Sequence, residues 1–202
     1  MLEWINEYDT MALLYLNGKH SPFLDEVMWW ISKTITWIPL YCILLILIIY
    51  RERSYRIIFI ILFVAIAVAL CDQLSVLIKN LVQRHRPTHN VEIAELVHIV
   101  NDYRGGMYGF ISSHAANVFG LAAFLSNQFK HYKWSIFLFS WAAVVSYSRI
   151  YLGVHYPLDI IFGAVLGILI GTQCYAYYAK TTIFLERKMQ IRKEKRAAKN
   201  SR

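Results

Sequence analysis

Long apolar segments, separated by short polar connections, dominate the chain and predict a set of membrane-spanning helices. A helix needs about 20 mostly apolar residues to cross the hydrocarbon core of a bilayer. Segments of about this length or longer lie at residues 24–50, 54–80, 111–129, 134–152 and 156–180. We therefore expect an all-α fold, a polytopic transmembrane helical bundle with about five spans.

The first residues predict a different kind of helix. Residues 2–17 place apolar side chains on one side at helical spacing, but the segment is short and contains Glu3, Glu7 and Asp9. These features are typical of a helix that lies in the membrane interface. We expect residues 1–185 to form a single membrane domain and residues 186–202 to form a basic tail.

The composition agrees with a membrane protein. Hydrophobic residues make up 57% of the chain and its mean hydropathy is +0.40, which is too apolar for an ordinary soluble domain. The net charge of +8 raises the alternative of a nucleic-acid-binding tail. A basic run directly after an apolar helix is better explained by contact with anionic lipid headgroups, so the expected partner is the phospholipid bilayer and not a nucleic acid.

The distribution of lysine and arginine predicts the orientation, because these residues collect on the cytoplasmic side of a membrane. Of the 21 lysines and arginines, fourteen lie on one side of the predicted spans, and eight of these fourteen are in the tail. They are Arg51, Arg53, Arg56, Lys130, Lys133, Lys180, Arg187, Lys188, Arg192, Lys193, Lys195, Arg196, Lys199 and Arg202. We expect the tail to be cytoplasmic.

Three glycines in the last apolar segment, Gly163, Gly167 and Gly171, are spaced four residues apart. Small residues at this spacing let two helix backbones approach closely within a membrane. We expect them to pack against a neighbouring helix and assign no chemistry to them.

Ionisable residues cluster at the predicted outer ends of four spans, where a charge close to hydrocarbon usually marks a functional site. Three of them are the cations Lys79, Arg86 and Arg149. Arginine forks match phosphate oxygens two at a time, and lysine adds a compact charge. Together they can neutralise a phosphate during transfer, although each alone is also explained by reaching towards the headgroups.

Two histidines accompany these cations. His155 precedes Asp159 by four residues, a spacing that lets the carboxylate approach one imidazole nitrogen and leaves the other free for substrate. His114 follows Ser112 and Ser113 at a predicted helix start, where backbone N–H groups favour an anion. A lone histidine at a helix end is more often structural, but all these groups lie on one side, which favours a phosphoryl-transfer site.

At these residues the chain resembles the type 2 phosphatidic acid phosphatase superfamily, whose members carry the motifs K-x6-RP, PSGH and SR-x5-H-x3-D. The matching residues are Lys79, Arg86, Pro87, Ser112, His114, Ser148, Arg149, His155 and Asp159. Only the middle motif differs from the family pattern, because this chain has Ile111 and Ser113 where the family has proline and glycine.

The resemblance implies a two-step phosphatase reaction without a metal or other cofactor. By position, the nucleophile is His155, Asp159 orients it, and His114 is the general acid. The implied phosphate-binding residues are Lys79, Arg86, Ser112, Ser113 and Arg149. A metal pair formed by His85 and His89 is the weaker alternative, because a proline lies between them.

A resemblance to small bacterial members implies a bacterial inner membrane location, an extracytoplasmic site and a membrane lipid phosphate as substrate. Undecaprenyl pyrophosphate and lipid A phosphate groups are the preferred substrates. Phosphatidylglycerophosphate and phosphatidic acid stay open, with headgroup choice expected in residues 81–110. Two other classes of protein share the motifs. Vanadium haloperoxidases are typically soluble, which five apolar spans argue against. A non-enzymatic transporter or scaffold would more often have lost a catalytic residue, whereas here every catalytic position is filled.

Overall fold

A computed structural model describes residues 2–52 and 55–200, which form seven α-helices and two short 3₁₀ helices. The α-helices are α1 (Leu2–Asn17), α2 (Pro22–Ser32), α3 (Ile38–Arg51), α4 (Arg56–Val82), α5 (Ser113–Phe129), α6 (Tyr132–Tyr151) and α7 (Pro157–Asn200). The described residues contain no strand, only an isolated bridge between His85 and Tyr108. The predicted all-α class is confirmed.

The predicted first span, residues 24–50, is wrong as a single helix. Helix α2 ends at Ser32, Lys33 has an extended backbone, and the 3₁₀ helix Thr34–Trp37 leads into α3. Pro39 explains why the second helix starts afresh, because proline is tolerated only in the first turn of a helix. The side chains of Thr36 and Trp37 donate to the free carbonyls at the end of α2, at 2.7 and 2.8 Å.

Within the described residues, three helical stretches are long and apolar enough to cross a membrane: Thr34–Arg51, Arg56–Val82 and Pro157–Ala197. Helices α5 and α6 are less apolar, and α5 packs inside the bundle against α4, α6 and α7. The count of five spans therefore stays a prediction for these two helices. The predicted second span begins at Ser54, which lies outside the described residues, as do Arg53 and Arg202 of the predicted cytoplasmic set.

Helices α5 and α7 form the closest contact of the bundle through the three spaced glycines. A Cβ atom at Gly167 would overlap the carbonyl oxygen of Ala116, and one at Gly163 would press on that of Ser112. The predicted packing role of these glycines is confirmed. The same contact holds the start of α5 beside the start of α7, where the Ser112 N–H donates to the Asp159 carbonyl at 3.0 Å.

Helix α7 is longer than the predicted span 156–180 and continues through position 186, the predicted start of the basic tail. The tail residues up to Asn200 are therefore helical.

Helix α1 packs on the bundle by one side only. Asp9, Leu13 and Asn17 are buried on that side. The Asn17 amide donates to the Tyr151 carbonyl at 2.7 Å and accepts from the His98 N–H at 2.7 Å. The opposite side leaves four large apolar residues exposed, namely Trp4, Tyr8, Met11 and Tyr15. An exposed apolar side suits the predicted position in the membrane interface, which stays a prediction.

Candidate active site

The turn between α6 and α7 brings a histidine and a carboxylate together inside the protein. His155 is 1% exposed and Asp159 is fully buried, and 3.3 Å separates Nδ1 of the imidazole from Oδ2 of the carboxylate. Pro157 starts α7, and Asp159 in its first turn reaches back to accept the Tyr156 N–H at 3.0 Å. This backbone contact fixes the carboxylate next to the imidazole.

The second nitrogen of the imidazole faces an arginine. Nη1 of Arg86 lies 3.2 Å from Nε2 of His155. Because a guanidinium has only donors, Nε2 must be the unprotonated nitrogen and Nδ1 must carry the proton towards Asp159. The imidazole therefore presents its lone pair on the side of Arg86.

The surroundings of His155 favour its neutral form. Burial lowers the pKa of His155 well below its ordinary value of 6.5, and the positive charges of Arg86, Arg149 and Lys79 lower it further. A neutral imidazole is the form that can attack phosphorus.

Arg86 and Arg149 are buried cations without a carboxylate partner in the part of the chain that the structure describes. Arg86 donates to the carbonyl oxygens of Tyr108 and Val154, at 3.2 and 3.0 Å. Arg149 donates to the hydroxyls of Ser32 and Tyr103, and its Nε atom has no partner. Uncompensated buried charge of this kind is stabilised when an anion binds.

Tyr103 was not identified from the sequence. Burial opposes ionisation of its hydroxyl, but Arg149 and Arg86 outweigh this effect and lower its pKa. No sequence pattern marks Tyr103, because it lies in the long 81–110 connection far along the chain from Arg149.

The start of α5 supplies the serines. The Lys79 ammonium donates to the Ser113 hydroxyl, which also lies 2.6 Å from the Ser75 hydroxyl. The Ser112 hydroxyl is fully buried and caps α5 by accepting the Ala115 N–H at 3.4 Å. Ser113 thus positions the lysine, and Ser112 sets the start of the helix that carries His114.

His114 lies where a polar cavity meets an apolar groove. The cavity, of about 330 Å³, is lined by Trp29, Ser32, Lys33, Thr34, Ile35, Tyr103, His114 and Arg149. The groove, of about 510 Å³, runs between α3, α4, α5 and α6 and is lined mostly by aliphatic side chains. A phosphate in the polar cavity and a hydrocarbon chain in the groove would both reach His114.

The described residues contain no group of three or more histidine, cysteine, aspartate or glutamate side chains that could hold a metal ion. The imidazole of His85 stacks on the Tyr108 ring at 5.7 Å between centroids, and that of His89 lies 3.1 Å from the Thr88 hydroxyl. These two histidines therefore have other partners.

Comparison with known proteins identifies the family. Residues 56–183 match the model of the PAP2 superfamily. The chain is 39% identical over 188 residues to a lipid A 4'-phosphatase of Bacteroides thetaiotaomicron, which covers 92% of this chain and 84% of the relative. It is 33% identical over 155 residues to an undecaprenyl-diphosphatase of Sulfolobus acidocaldarius, covering 75% and 69% of the two chains.

A solved structure, that of Aquifex aeolicus LpxE, is similar to this fold with a TM-score of 0.65 and 26% identity. The match covers 83% of this chain and 94% of the solved chain. The chain therefore belongs to the PAP2 superfamily and is a membrane lipid phosphatase of bacterial type.

Proposed function

We propose that this protein hydrolyses a phosphate ester of lipid A type through a phosphohistidine intermediate on His155. The observation that supports this most directly is the environment of His155. Its Nδ1 faces Asp159, its Nε2 faces Arg86, and its pKa is lowered by burial and by nearby cations.

In the first step the lone pair of His155 Nε2 attacks phosphorus, and the bond from phosphorus to the lipid oxygen breaks. Asp159 holds the Nδ1 proton and stabilises the positive charge that develops on the imidazole. Lys79, Arg86 and Arg149 neutralise the phosphoryl oxygens. Arg86 exchanges its contact with Nε2 for one with the phosphate.

His114 donates a proton to the leaving lipid oxygen. In the second step His114 accepts a proton from water, the water oxygen attacks phosphorus, and the nitrogen–phosphorus bond breaks. Inorganic phosphate leaves, and His155 returns to its neutral state.

The substrate class rests on the relatives and on the two spaces that meet at His114. The lipid A 4'-phosphatase is more similar to this chain, and matches more of it, than the undecaprenyl-diphosphatase does. We therefore place a lipid A phosphate first and undecaprenyl pyrophosphate second. Phosphatidylglycerophosphate and phosphatidic acid follow.

We propose an inner membrane location, with the active site extracytoplasmic and the C-terminal tail cytoplasmic. The excess of lysine and arginine at the opposite ends of the helices supports this orientation.

Phosphate release in detergent micelles with EDTA present tests the proposal. A panel of lipid phosphates, headed by lipid A and undecaprenyl pyrophosphate, is compared between the native protein and His155→Ala. We expect metal-independent release that the substitution abolishes, with lipid A fastest. Release that persists in folded His155→Ala would overturn the mechanism, and faster release from undecaprenyl pyrophosphate would overturn the substrate assignment.

A further inference from the structure

A single arginine outside the family motif residues joins the catalytic carboxylate to helix α1. Nη1 of Arg84 donates to Oδ1 of Asp159 at 2.9 Å, and Nη2 donates to Oδ2 of Asp9 at 2.8 Å. The guanidinium also lies 3.9 Å above the Tyr156 ring. The side chains of both aspartates are at most 1% exposed and that of Arg84 is 19% exposed.

Asp9 makes a second contact with the same region. Its Oδ1 accepts the Leu158 N–H at 2.9 Å, in the first turn of α7. A backbone N–H at a helix start has no partner within its own helix. Asp9 therefore supplies the cap that a neighbouring Ser or Asp usually provides, and supplies it from α1.

These contacts bear directly on the orientation of His155. Oδ2 of Asp159 faces His155 and the Tyr156 N–H, while Oδ1 is held by Arg84. Rotation of the carboxylate away from the imidazole would break the contact with Arg84. Arg84 is itself fixed by Asp9 and by the Tyr156 ring.

We propose that Asp9 and Arg84 are positioning residues, through which helix α1 fixes the Asp159–His155 pair for catalysis. The inference rests on the proposed phosphohistidine function. The contacts of Asp9 and Arg84 run to Asp159 and to the start of α7. We therefore expect their substitution to change turnover and not substrate binding.

The position of α1 gives this arrangement a consequence for the membrane. The side of α1 opposite Asp9 exposes Trp4, Tyr8, Met11 and Tyr15, which suits contact with lipid at the interface. The helix that touches the lipid surface is then also the helix that orders the catalytic carboxylate.

The test measures kcat and KM for hydrolysis of a lipid phosphate in micelles. It compares the native protein with Asp9→Asn, Arg84→Gln and the double variant. Asp9→Asn keeps an acceptor oxygen for the Leu158 N–H, but replaces the charged oxygen that Arg84 contacts with an amide nitrogen, which cannot accept a hydrogen bond. Glu186→Gln is the matched control, because it removes the ion pair with Arg56 at the other end of the bundle. Inhibition by inorganic phosphate reports whether the cationic pocket is intact in each variant.

We expect each single substitution to lower kcat about 10- to 100-fold with KM and the inhibition constant for phosphate unchanged. The double variant should lose little more than either single one, because the two residues act as one unit. Glu186→Gln should keep native kcat.

Native kcat in Asp9→Asn would overturn the proposal, as would additive losses in the double variant or an equal loss in Glu186→Gln. A variant that fails to fold is recognised by the loss of inhibition by phosphate. Arg84→Lys, which keeps the charge but has only one donor group, is then measured instead of that variant. Failure of the phosphohistidine function itself would appear separately, as native turnover that survives His155→Ala.

Discussion

The Nη1 atom of Arg86 lies 3.2 Å from Nε2 of His155, on the side of the imidazole opposite Asp159. One histidine is thus held between a carboxylate that fixes its proton and a cation that meets its lone pair. Since Arg86 has no carboxylate partner in the described residues, a phosphate arriving at this position would find both a nucleophile and an uncompensated positive charge.

Gly109 lies against the Asp159–His155 pair, and a methyl group there should disturb it. A Cβ atom at this position would lie 3.0 Å from Oδ2 of Asp159 and 3.6 Å from Nδ1 of His155. We expect Gly109→Ala to lower kcat up to about 100-fold, because small displacements of reacting groups are costly. Gly106→Ala is the control, since nothing lies within 4 Å of its Cβ position; equal activity of the two variants would contradict this account.

The lowered pKa of His155 predicts that its imidazole stays neutral well below pH 6.5. In the unfolded chain the His155 imidazole binds a proton near pH 6.5, whereas in the folded protein it stays unprotonated at this pH. The free energy of unfolding should therefore fall as the pH drops through this value. Carbon-13 NMR of labelled histidines in micelles, assigned with His155→Gln, measures the titration directly. A midpoint at or above pH 6.5 would show that burial and the neighbouring cations do not act as described.

Lys33 should contribute to substrate binding although it lies outside the family motifs. It lines the cavity with His114 and Arg149, and its ammonium rests 4.3 Å from the centroid of the Trp30 ring without an ion pair in the described chain. We expect Lys33→Gln to raise KM about 2- to 5-fold, as fits a partly exposed charge, with kcat retained. Steady-state kinetics at low salt measure this, with Lys19→Gln as the control; an unchanged KM would remove Lys33 from the binding site.

His114 should matter most when the leaving group is poor. Loss of a general acid costs about 10²- to 10⁴-fold, and the loss is smaller when the leaving oxygen needs no proton. We expect His114→Ala to reduce hydrolysis of a lipid phosphate far more than hydrolysis of an activated aryl phosphate. An equal reduction for both substrates would assign His114 to binding.

The sequence predicted the helical class and the close packing of the last span on a neighbouring helix, because apolar length and glycine spacing are local properties of the chain. The structure shows that this neighbour is α5. It also indicated His155, Asp159 and the cations, since they lie within short motifs whose order could be compared with a family. It missed the break at Lys33, because the surrounding segment is apolar throughout and has the length of one span. After the break, α3 begins at Ile38, with Pro39 in its first turn.

The contacts that hold Asp159 beside His155 could not be predicted in the same way. Arg84 joins Asp9, near one end of the chain, to Asp159, near the other. In the sequence, Asp9 is one of three acidic residues in a helix predicted to lie in the membrane interface. Arg84 lies two residues before Arg86, at a position that the motif K-x6-RP leaves unspecified. Only the folded arrangement shows which of these charges are buried and paired.

Trapping of the covalent intermediate tests the central claim most directly. A lipid substrate labelled in its phosphate is mixed with an excess of protein, quenched during a single turnover and digested, and the labelled peptide is identified. We expect label on the peptide that contains His155, released by acid and stable to alkali, and no label in His155→Ala. Complete turnover without protein-bound label, or label on any other residue, would contradict it.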